Sequence, residues 1–107
     1  MINVTVDMSK HEVTVSGHAQ YAEEGKDIVC AAVSILFYTL VETLEAGHDM
    51  LSHKNVKKTI KKGESCVSCK PLKAYEANIN LIFFTIMNGI QLLADDYPEN
   101  VAFTVLG

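Results

Sequence analysis

The chain has 107 residues, 49% of them hydrophobic, and a formal net charge of −4 without a single arginine. That length fits one domain, 1-107, around one core, and the charge balance argues against direct nucleic-acid binding, which needs many phosphate-neutralising cations. Three cysteines, an odd number, fit a reducing compartment better than a disulfide framework. No basic region precedes an apolar run at the start, and polar residues interrupt the apolar tracts, so a soluble, cytoplasmic protein without a membrane partner is expected.

Ile2, Val4, Val6 and Met8 alternate with polar residues, and the alternation resumes at Val13 and Val15 after a polar turn; this predicts an opening β-hairpin whose second strand ends at Gly17-His18. Ile28, Val29, Ala32, Val33, Leu36, Leu40 and Leu44 recur at three- and four-residue steps, which predicts a helix from about Asp27, its N-cap, to Ala46, with Gly47 as the stop. Lys54 to Ile60 and Glu64 to Lys70 read as two strands joined at Lys61-Lys62-Gly63 and ended by Pro71. Tyr75, Ile79, Ile82, Ile86, Ile90 and Leu93 mark a second helix from about Leu72 to Asp96, closed by Pro98. Gly89 inside it costs about 1 kcal/mol relative to alanine, and so is either tolerated or the mark of a close helix contact. Val101, Phe103 and Val105 form a last strand. The fold class is α+β, a single domain of order ββαββαβ with two helices packed on a mostly antiparallel sheet.

The chemistry gathers at two junctions of this order. His18 stands at a strand exit and Cys30 is the third residue of the next helix, in the first turn, where unpaired amide hydrogens and the helix dipole favour a thiolate. A histidine brought near it in space could act as its base, whatever their separation in sequence. The bland alternative is a buried small cysteine and an ordinary loop histidine.

Gly17-His18-Ala19, followed by Gly25, Asp27, Val29-Cys30-Ala31 and Ser34, resembles the signature of the ribosomal-processing cysteine protease family, Prp. Gly89-Ile90, Leu93, Tyr97-Pro98 and Val101 resemble the last helix and strand of that family more weakly. The resemblance implies a bacterial cysteine endopeptidase that removes an N-terminal extension from the twenty-seventh protein of the large ribosomal subunit, cutting after paired phenylalanines. His18 and Cys30 would be the catalytic pair, and a homodimer with the second helix at its interface would be the assembly; no metal or organic cofactor is implied. Ser34, one turn after Cys30, and Asp27, the N-cap, would support the pair. Glu23 and Glu24 in the intervening loop could attract a basic peptide, and that loop is expected to be a mobile lid.

Two other features compete. Cys66 and Cys69, with His48 and His53 upstream, have zinc-like spacing, although cysteines three apart on a strand point to opposite faces. Lys54, Lys57, Lys58, Lys61 and Lys62 form a local basic patch. If it bound RNA and Cys30 were merely structural, the chain would be a non-enzymatic, ribosome-associated accessory module; the bland account is a solvated hairpin face that discourages edge pairing.

Overall fold

The computed structural model describes residues 1–23, 25–47 and 53–107, with 53 and 54 described by backbone alone. Two strands, β1 (Ile2–Asp7) and β2 (Glu12–Gly17), form the opening hairpin. Helix α1 (Ile28–Ala46) follows, then β3 (His53–Lys61), β4 (Glu64–Pro71), a single 3₁₀ turn at Lys73–Tyr75, helix α2 (Glu76–Asp96) and β5 (Val101–Leu106). The order ββαββαβ is the one expected. The sheet runs β3-β4-β2-β1-β5, antiparallel throughout except where β5 lies parallel to β1.

The limits of α1 follow from its caps. Asp27 keeps an extended backbone while its carboxylate accepts from Val29 and Cys30 N–H, and the Gly47 N–H closes the far end on the Thr43 carbonyl. Helix α2 begins four residues later than the expected Leu72. Pro71 still belongs to β4, and the chain tightens through the 3₁₀ turn before Glu76, with no side chain capping the helix start.

Alternation along the strands sends Val4, Val6, Val13, Val67 and Val101 into the core. Val29, Val33, Phe37, Leu40, Val41 and Leu44 of α1, with Ile79, Phe83, Ile86 and Ile90 of α2, pack against them. Each such side chain contributes about 1.5–3 kcal/mol on burial. Both helices are long and apolar enough, by length and composition, to cross a bilayer; the stripes just named are spent instead on the sheet. Gly89 is a contact residue: a Cβ there would stand 2.9 Å from a methyl of Leu36, so the missing side chain lets α2 approach α1. Under α2, the buried His11 at the β1–β2 turn donates from Nε2 to Asn80 Oδ1 at 2.7 Å and meets Phe83 edge-on.

Candidate active site

Strand β2 ends at Gly17, whose φ of +83° turns the chain out of the sheet, and His18 follows at once. The chain then loops over the start of α1 and enters it at Asp27. His18, Asp27, Cys30 and Ser34 thereby line one cleft of about 630 Å³, walled by the end of β2, the loop, the first turns of α1 to Tyr38, and the β3–β4 turn from Lys61 to Ser65. His18 is exposed and Cys30 half-buried. Ile2, Val15 and Tyr38 give the cleft an apolar lining, while Lys61, Lys62 and Glu64 supply a charged rim.

Among the described residues no hydrogen bond joins His18 to Cys30. Cys30 Sγ accepts instead from the Ala19 N–H at 3.2 Å. The imidazole rests against the β3–β4 turn, its Nε2 3.1 Å from where a Cβ on Gly63 would stand. Ser34 lines the cleft one turn beyond the cysteine, bonded to neither residue.

Asp27 organises the loop as well as the helix. One carboxylate oxygen accepts from Val29 and Cys30 N–H at 3.0 and 2.9 Å, and the other accepts from Tyr21 and Ala22 N–H at 3.0 and 3.3 Å. Burial alone would raise its pKa, but the four amide donors, Cys30 foremost, outweigh that and hold the carboxyl below its usual value of 3.8. The Cys30 and Val29 amides are thus occupied by Asp27, and the free-standing contact to the thiol comes from Ala19, a residue seen in the sequence only as part of a motif.

Two further ties were not legible in the sequence. Asn100, just before β5, donates from its side chain to the Ala19 carbonyl at 2.9 Å, so Ala19 is fixed on one side by the sheet's last strand and on the other faces the thiol. Tyr21 stacks edge-on against Tyr97 at 5.4 Å. Ala19, Tyr21 and Ala22 are thus the points at which the loop expected to be a mobile lid bonds to its surroundings.

Glu23 forms an exposed ion pair with Lys26 at 3.0 Å and is absent from the cleft wall; Glu24 lies outside the described residues, as does His48, and the His53 side chain likewise. Cys66 and Cys69 point to opposite sides of β4. Cys69 is buried, its thiol pushed up to about 11 by loss of solvent. Cys66 is half-buried beside Thr14, raised first by burial and also by Glu12, against the lowering effect of the Thr14 hydroxyl. In the basic patch, Lys58 is paired with Glu45 at 2.7 Å.

Residues 1–102 match the family described as cysteine protease Prp. A curated relative, the ribosomal processing cysteine protease Prp of Mycoplasma pneumoniae, is 30% identical over 105 residues, covering 96% of this chain and 93% of the relative. Among solved structures, the essential ribosomal processing protease Prp of S. aureus with a covalently linked product peptide superposes with a TM-score of 0.81 at 23% identity, covering 98% of this chain and 99% of that one. A Streptococcus mutans protein gives a TM-score of 0.68 at 28% identity, covering 98% and 91%.

Proposed function

Because the chain belongs to the Prp family of ribosomal-processing cysteine proteases, we propose that Cys30 is its nucleophile and His18 its general base, and that it trims an N-terminal extension from the twenty-seventh protein of the large ribosomal subunit. The observation that carries this reading is that His18 and Cys30, from two different elements, line one cleft. His18 takes the thiol proton; the thiolate attacks the carbonyl before the scissile bond; His18 returns the proton to the leaving amine; water then hydrolyses the thioester. The Cys30 side chain must turn from the Ala19 N–H toward the seated imidazole when peptide binds, since catalytic hydrogen bonds often tighten only then. With Val29 and Cys30 amides committed to Asp27, the Ala19 N–H is the donor already at the sulfur and is suited to the developing oxyanion. The apolar wall of Ile2, Val15 and Tyr38 suits a phenylalanine-rich stretch before the cut.

The same reading places the protein in the cytoplasm, where its substrate is made and three free thiols persist. It also makes the protein a homodimer. Leu81, Phe84 and Leu92 leave an apolar stripe exposed on α2, and a second copy of the chain is the occupant that the family reading gives it.

The test is to incubate the purified protein with a peptide spanning the extension and to determine the cut site by mass spectrometry. Cleavage after the paired phenylalanines, abolished in both Cys30→Ala and Cys30→Ser while the fold persists, is the expected result. Turnover retained by Cys30→Ala would sink the assignment.

A further inference from the structure

The contact between the β3–β4 turn and His18 gives a residue outside the sequence signature a part in the reaction. We infer that Gly63 is a positioning residue for His18, the bare backbone on which the imidazole rests. The inference builds on the function proposed above.

Two observations meet at this position. Gly63 has a φ of +78° while Lys62, before it, keeps a negative φ, the sign pattern of a type II turn. Such a turn accepts asparagine as well as glycine at its second central position, so the turn alone does not require a glycine. The second observation supplies the requirement. A Cβ built on Gly63 would stand 3.1 Å from His18 Nε2, tighter than ordinary van der Waals contact, with Cε1 at 3.5 Å, so any side chain would force one partner aside by a few tenths of an ångström. The backbone is the stiffer partner, because the Gly63 carbonyl accepts from the Gly17 N–H at 2.9 Å and ties the turn to the residue before His18. The exposed imidazole must give way. The same bond keeps His18 and its seat in one rigid unit, so the turn locates the base relative to the end of β2 rather than merely touching it.

Displacement of a base by a fraction of an ångström weakens proton transfer more than peptide binding, since errors of about 1 Å cost up to about 100-fold in rate. The experiment compares Gly63→Ala with Gly63→Asn. Alanine carries both the strained backbone and the contact; asparagine tolerates the positive φ but keeps the contact. Both should lower kcat roughly tenfold with KM changed less than about twofold, although the asparagine variant melts closer to the wild type. In the peptide-free protein, the ring-proton resonance of His18, assigned by its loss in His18→Ala, should shift in both variants. If Gly63→Asn regains kcat along with stability, backbone strain explains everything and the inference fails. It fails equally if the His18 resonance does not move in either variant. Because that resonance is read without substrate, it stays informative even if the wild-type protein cuts no ribosomal peptide, an outcome that would overturn the proposed function instead.

Discussion

Replacing Asp27 separates its service to the helix from its service to the loop. Its two oxygens divide four amide donors, Val29 and Cys30 on one and Tyr21 and Ala22 on the other. Alanine removes all four bonds. Loss of an N-cap costs about 0.5–2 kcal/mol, and two exposed loop bonds add about 0.5 kcal/mol each, so the total is about 1.5–3 kcal/mol. For a domain of this size each kcal/mol lowers Tm by about 4–8 °C, giving a fall of roughly 6–24 °C. Asparagine is among the best N-caps, and its carbonyl oxygen can keep Val29 and Cys30. Its amide nitrogen then faces the Tyr21 and Ala22 N–H groups, donor against donor, and the loop is released. Asp27→Asn should therefore melt within about 8 °C of the wild type yet cleave peptide at least tenfold more slowly, since Ala19 and His18 lose their placement. Paired thermal melts and steady-state kinetics decide it. Wild-type turnover in Asp27→Asn would refute the loop-tethering argument; a collapse of stability equal to that of Asp27→Ala would refute the division of labour between the two oxygens.

Further expectations follow from the same contacts. The Asp27 carboxyl titrates below its ordinary value, so its stabilisation is fully present above about pH 4 and is lost as pH falls through the lowered pKa; protection of the Tyr21 and Ala22 amides, measured against the intrinsic exchange rate at each pH, should fall in that acid window in the wild type and show no such step in Asp27→Asn. Burial pushes the Cys69 and Cys66 thiols up and shields them, so iodoacetamide near pH 8 should label Cys30 first, and peptide mapping that finds Cys66 labelled ahead of it would contradict the site assignment. Glu23→Gln with Glu24→Gln should weaken apparent affinity for a basic peptide at low salt and leave kcat nearly unchanged, because exposed charges act through a field that salt screens over about 8–10 Å. Lys26→Gln, which frees Glu23 from its ion pair, should do the reverse; if it too lowers affinity at low salt, steering by this loop is disproved.

What the sequence revealed and what it hid divide along the range of the interactions involved. The ends of α1 are legible to the residue because Asp27 and Gly47 act on their own neighbours. The opposed faces of Cys66 and Cys69 follow from strand periodicity alone. The start of α2 is not legible, since Lys73 to Tyr75 carries the same apolar spacing while the backbone takes a tighter turn and no capping side chain marks the change. His18 and Cys30 stand out through their motif, but the partners that hold their loop do not: Asn100 reaches Ala19 across 81 positions, and nothing local to an asparagine before a strand announces that. The acidic loop misleads for a related reason, since composition shows Glu23 but not that Lys26 occupies it.

The bond from Asn100 to Ala19 also sets an order of events. Synthesis delivers His18 and Cys30 early, whereas Asn100 and β5 come last, and the parallel pairing of β5 with β1 joins Ile2 to Val101, the kind of long-range contact that forms slowly. Until that strand docks, β1 has an open edge and Ala19 lacks its anchor. On the proposed assignment, a partly made or partly folded chain carries the nucleophile and the base without the bond that holds their loop. Competence to cut would then arrive with the closing of the sheet, and a protease that works among newly made proteins would stay inert while it is one of them.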